Sequence, residues 1–144
     1  MVEQDTIRLL RECDAGIHMG LSAIDEVLAD VSGDSLKRSL RGSRTQHERL
    51  QDEIDHLLAE YQDQGKAPSP MTQGMSWRKT RAKLAADPSD ETVADLVSDG
   101  CHMGVKNLHR YLNQYKAADE ASKDITKRLI ALEEELDKEV RAYL

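Results

Sequence analysis

The residues of this chain that could do chemistry are five histidines, two cysteines and 27 Asp and Glu residues. Two of the histidines belong to a repeat. Gly16-Ile17-His18-Met19-Gly20 returns 84 residues later as Gly100-Cys101-His102-Met103-Gly104. Imidazole and thioether are both metal donors, so a repeated His-Met pair invites a metal reading. Helical spacing argues against it. At about 100° per residue, His18 and His102 lie roughly 100–140° from the middle of the apolar stripes around them. Both pairs are therefore expected on the surface or at a subunit contact, and His109 reads as solvated for the same reason.

His47 differs because it falls in the middle of an apolar stripe. If the chain turns near residues 32–34, His47 is level with residue 18. The matching layer of the second half offers Glu133, and Asp14 flanks the first stripe about a turn away. Two chemistries fit: a core histidine with one hydrogen bond, or a residual metal or small-molecule site made of His47, Glu133 and Asp14. The first is the expectation, with no catalytic, cofactor-binding or metal-ligating residue. His47 is also expected neutral, because each buried ion costs several kcal/mol of desolvation. Cys13 and Cys101 fall inside apolar stripes and read as small hydrophobes. No Gly-rich phosphate loop, nucleophile elbow or convincing Ser-His-Asp set is present, so an enzyme is not expected.

The elements that must position these residues are helices. Ile7, Leu10, Cys13, Ile17, Leu21, Ile24, Leu28 and Val31 recur at helical spacing. Ser32-Gly33-Asp34-Ser35 then reads as a tight turn, with Gly33 just past the helix end and Asp34 or Ser35 as the next N-cap. Leu36, Leu40, Ser43, His47, Leu50, Ile54, Leu57 and Tyr61 form a heptad seam that ends near Gly65. Residues 65–88 hold all three prolines, at 68, 70 and 88. A short amphipathic helix around Trp77 is expected within that connection. Asp87-Pro88-Ser89-Asp90 caps a third helix with the stripe Val93, Val97, Gly100, Cys101, Gly104, Leu108, Tyr111, Leu112 and Tyr115. A turn near Ala117-Ala118-Asp119 leads to a fourth, with Ile125, Leu129, Leu132, Leu136, Val140 and Tyr143.

These stripes predict one all-α domain over residues 1–144. It comprises a helical hairpin over about 5–64, a crossover over 65–88 and a second hairpin over about 89–144. The connection is too long for a simple turn, since neighbouring bundle helices need only about 2–8 linking residues. A helix of about 28 residues is about 42 Å long, and this connection can travel that length. The third helix is therefore expected to start at the end of the bundle opposite to where the second stops. Four helical glycines, Gly16, Gly20, Gly100 and Gly104, each cost about 1 kcal/mol relative to Ala. They read as the closest contact between the first and third helices, or alternatively as room for a ligand beside His47.

Composition narrows the function classes. A net charge of −7 argues against nucleic acid or an anionic membrane as partner. No apolar run is long enough to span a membrane, and the first residues show no secretory signal. With two cysteines only, a disulfide framework is not expected, which makes the cytoplasm the default location.

Two hairpins joined by one long crossover resemble the ferritin-like four-helix bundles. The similarity is greatest to a small bacterial branch that shares the Leu-Lys pair in Asp34-Ser35-Leu36-Lys37 and the crossover helix carrying Ser76-Trp77-Arg78-Lys79. That branch implies the fold and no particular activity. The superfamily implies a di-iron centre built from inward Glu and Glu-x-x-His ligands. The one Glu-x-x-His here, Glu53-Ile54-Asp55-His56, flanks Ile54 at about 100° and about 160° and points outward. Glu133 is followed three residues later by Leu136, so the fourth helix lacks the motif, and a standard di-iron site is not expected. The reading is a non-enzymatic bundle with a structural, binding or stress-associated role, assembled as a homodimer. A ferritin-like protein binding iron or another transition metal around His47 is the alternative, and a small-molecule-binding bundle is the other.

Overall fold

Four apolar stripes become four α-helices. The computed structural model describes residues 3–61 and 84–144, and the expected crossover helix around Trp77 lies outside the described residues. The elements are α1 (Gln4–Leu28), α2 (Asp34–Glu60), α3 (Asp90–Gln114) and α4 (Glu120–Val140), followed by a 3₁₀ turn at Arg141–Tyr143. Residues 84–86 are also helical, and the described residues contain no strand. α1 packs most extensively on α2 and α3 on α4, while the α1–α3 and α2–α4 contacts join the two hairpins.

Side-chain clips at both ends of the bundle fix the topology. At one end the backbone N–H groups of Ser32 and Gly33 donate to the two carboxylate oxygens of Asp90, at 2.8 and 2.9 Å. The turn between α1 and α2 is thereby tied to the first turn of α3. At the other end Tyr61, just past α2, donates its hydroxyl to Asp119 at 3.1 Å, and Asp119 N–H donates to Thr6 at 2.8 Å. Asp119 also caps α4 by accepting from Ser122 N–H. The C-terminal end of α2 and the start of α3 therefore lie at opposite ends of the bundle, as the long connection requires.

One turn differs from expectation. Gly33 is not the residue closing α1 but the N-cap of α2, in ordinary extended backbone at φ −77°. Its smallness has another cause, since a Cβ there would sit 2.9 Å from Asp90 Oδ2. Ser89 caps α3 through Thr92 N–H, and Asp87 in turn accepts from the Ser89 and Thr92 hydroxyls.

The aliphatic core divides into two clusters. One holds Leu9, Leu10, Ile17, Leu50, Ile54, Leu58, Leu108 and Leu129 among others. The second holds Ile24, Val27, Leu36, Leu40, Val93, Leu136 and Val140. Between them lies a layer with no large aliphatic side chain, to which the helices contribute Gly20, His47, Gly104 and Glu133.

Two stripes are rotated from expectation. On α2 the fully buried residue of the last turn is Leu58, with Leu57 only partly buried. A straight helix drifts by about 20° per heptad against a seven-residue repeat, which moves the buried position by one residue. On α3 the buried face runs through Val93, Ala94, Ser98, Cys101 and Leu108, leaving Gly100 exposed. α4 buries Ser122, Thr126 and Asp137 beside its leucines.

Candidate functional site

The site grows from one turn of α2. His47 lies one helical turn after Ser43, so its Nδ1 meets the Ser43 carbonyl oxygen at 2.7 Å. Its Nε2 meets Glu133 Oε1 of α4 at 2.6 Å. A carbonyl only accepts, so Nδ1 carries a hydrogen, and a single further proton is shared between Nε2 and the carboxylate. His47 is 1% exposed, whereas the Glu133 side chain reaches the surface at 14%. Burial pulls the imidazole toward its neutral form, but the Glu133 hydrogen bond, its charge and the Ser43 carbonyl together raise the pKa above 6.5. The expectation of a neutral, unpaired His47 is corrected by the presence of two acceptors.

The glycines frame this pair. A Cβ on Gly20 would lie 3.4 Å from the His47 ring, and one on Gly104 would lie 3.6 Å from Glu133 Oε2. A methyl group on either glycine would thus be in ordinary van der Waals contact with the long polar side chain opposite. Gly16 and Gly100 have nothing within 4 Å of an added Cβ and are exposed. The reading of all four as a close contact between α1 and α3 is therefore corrected. Gly20 and Gly104 face side chains of α2 and α4, and the other two face outward because the buried stripe of each helix lies elsewhere.

Outside this layer, burial together with the Glu133 carboxylate pushes the Cys101 thiol well up. A groove of about 610 Å³ between α3 and α4 opens onto Glu133 and is lined by Cys101, His102, Val105, Lys106 and Asp137 as well. On its floor Asp137 accepts from Ser98 at 2.5 Å, from Arg141 at 2.8 Å and from His102 Nε2 at 3.1 Å. Burial opposes ionisation of Asp137, but these three donors hold it below the usual carboxylate range. Cys13, with Thr126 at 3.2 Å, is pushed up to about 11 chiefly by burial, so neither thiol is poised as a nucleophile.

Asp14 does not join His47 and Glu133. It is buried on α1 beside His18, with Oδ2 3.5 Å from His18 Nε2, and its Oδ1 has no partner among the described residues. His18 and His102 are exposed, as is Met103 at 64%, while Met19 is partly buried. Glu53 and His56 face solvent, paired with Arg128 and Glu60, in keeping with their outward azimuth.

The chain superposes on the crystal structure of Dps92 from Deinococcus radiodurans with a TM-score of 0.73 at 12% identity. The match covers 98% of this chain and 86% of that one. The fold is ferritin-like. No protein-family model and no curated protein matches the sequence.

Ferritin-like di-iron centres draw a Glu from each of two helices and a Glu-x-x-His from each of the others. In this ferritin-like chain the central layer supplies one imidazole and one carboxylate, each already bonded to the other. Gly20 and Gly104 stand where α1 and α3 reach that layer, Arg44 precedes His47 by three residues, and Leu136 follows Glu133 by three. Among the described residues, no three His, Cys, Asp or Glu side chains stand close enough together to hold a metal ion as placed.

Sequence reasoning passed over Asp137, Ser98 and Thr126. A signal for Asp137 existed. His47 and Glu133 are 86 residues apart, and the same shift applied along α2 and α4 carries Gln51 onto Asp137.

Proposed function

We propose that this chain is a non-enzymatic ferritin-like bundle with a structural, binding or stress-associated role, in which a proton shared by His47 and Glu133 takes the place of a di-iron centre. The observation that carries this reading is the full engagement of His47. Both ring nitrogens already face acceptors, at 2.7 and 2.6 Å, so a metal would have to displace the proton held between Nε2 and Glu133. The glycines beside the pair supply no donor. No cofactor is required by this arrangement.

The test is an anaerobic Fe(II) titration of protein made without an affinity tag, followed by exposure to oxygen. The expected result is no stoichiometric iron at the core and no iron oxidation above the buffer rate. Two irons per chain, lost in Glu133→Leu, would overturn the reading.

Association as a homodimer accompanies this role, supported by the exposed Met103 and Leu144. Neither nucleic acid nor a membrane is proposed as partner, given the acidic charge. No described helix is long and apolar enough to cross a membrane. The buried free cysteines accord with a cytoplasmic setting. A small-molecule role is the second reading, favoured by the groove that opens onto Glu133. A ligand there would be detected as a change in the pH dependence of the bridge.

A further inference from the structure

The duplication carries a second polar constellation in each hairpin. With the 84-residue shift of the glycine pentad, Asp14 of α1 falls on Ser98 of α3 and His18 on His102. With the 86-residue shift that relates His47 to Glu133, Gln51 of α2 falls on Asp137 of α4 and Asp55 on Arg141. Each hairpin therefore presents four corners, a pair of residues one turn apart on each of two antiparallel helices. His18 is level with Gln51, whose amide nitrogen stands 3.1 Å from His18 Nε2. One turn further along, Asp14 is level with Asp55.

In the second hairpin the four corners satisfy one another. Asp137 is the single carboxylate, and Ser98, His102 and Arg141 all donate to it. In the first hairpin the buried carboxylate sits at a different corner and its donors are missing. Asp14 is 3% exposed, yet its closest cationic neighbour, His18 Nε2, is 3.5 Å away, beyond ordinary hydrogen-bond reach. Its Oδ1 has no partner among the described residues. Where the other copy has a guanidinium, this one has a second carboxylate, Asp55. Burial raises the Asp14 pKa, with His18 opposing it and Asp55 adding to it. A buried carboxylate without donors is costly, and here the internal duplicate shows what a completed version of the same corner looks like. Among the described residues, the missing component is positive charge.

We propose that Asp14, His18 and Asp55 bind one divalent first-row transition-metal ion on the outer seam between α1 and α2, with the Gln51 side-chain carbonyl as a further oxygen donor. Carboxylate and imidazole one turn apart on a helix present both donors to the same point, and a mixed nitrogen and oxygen set suits such ions better than calcium or magnesium. Asp14 and His18 are the pre-placed pair. Asp55 is exposed and turns inward on binding, which is why three ligands do not converge as placed. The site is separate from the His47–Glu133 layer and stands or falls independently of it.

The test uses the full chain without an affinity tag, stripped with a chelator. It is titrated with Co(II), followed by visible absorption, and with Zn(II), followed by calorimetry. One equivalent per chain is expected, with a rise in melting temperature. His18→Ala and Asp55→Ala should each weaken binding at least about tenfold; both positions are exposed, so both variants should fold. Asp14→Asn, which keeps the shape, should abolish the zinc-induced rise in melting temperature. His102→Ala and Glu133→Leu should leave the affinity unchanged. The proposal is overturned by the absence of saturable binding up to millimolar zinc, which would leave a proton on Asp14 as the occupant. Binding that survives in both His18→Ala and Asp55→Ala, or that is lost in Glu133→Leu, would overturn it equally.

Discussion

At the bridge between His47 and Glu133 the effect of pH on stability has a definite sign. The folded-state pKa of His47 lies above its ordinary value of 6.5. Its contribution is therefore fully present below about pH 6.5 and is lost as the pH rises through the raised value. Glu133→Leu leaves the imidazole buried with only Ser43 as partner, through its carbonyl and hydroxyl oxygens. Burial alone lowers a histidine pKa, so the variant should lose stability as the pH falls, opposite in slope to the wild type. Near pH 6 the difference should be about 1–3 kcal/mol. Urea titrations of both proteins at several values from pH 5 to 8 measure it, and parallel slopes would show that no proton is held in the bridge. That His47 lies in the core and shares a layer with Glu133 was legible from the two seams. Its charge was not, because desolvation of the ring could be weighed from sequence while the backbone carbonyl one turn earlier was left out. That Asp14, about a turn away, meets His18 rather than His47 and Glu133 was not legible for a related reason. An azimuth places a side chain on a face but does not say which neighbour it meets.

Helices and turns carry their own tests. Asp90→Ala removes two hydrogen bonds to the backbone of the α1–α2 turn and should cost about 1–3 kcal/mol in chemical denaturation. Gly33→Ala should fail differently, since its methyl group would press on the Asp90 carboxylate. The exposed glycines reverse the direction. Gly16→Ala and Gly100→Ala meet no neighbouring atom, so each should gain about 0.5–1 kcal/mol from helix propensity alone. Thermal melts of the single variants read this directly, and a loss at either position would mean that a partner covers that face. The four helices and the capped start of α3 at Asp87-Pro88-Ser89-Asp90 could be read from the sequence because stripe and cap signals reinforce one another there. The rotation of α3 could not. Val97 and Gly100 suit an apolar face as well as Ser98 and Cys101 do, and only the donors around Asp137 decide which pair turns inward.

For the whole molecule, the exposed Met103 and Leu144 set the expectation of self-association, against the repulsion of a net charge of −7. Light scattering at micromolar concentration should give twice the 16.2 kDa chain mass, whereas a mass near that of one chain would exclude the dimer. The ferritin-like order of helices has a further consequence, which follows from the clips at the two ends. Asp90 grips the first hairpin from the second, and Tyr61 and Thr6 of the first grip Asp119 of the second. Their mutual placement is thus written in side chains that do not belong to the connecting segment. Two separately produced polypeptides, divided between residues 62 and 83, therefore carry the instructions to find each other and dock in the native orientation, with the covalent link acting to raise their effective concentration.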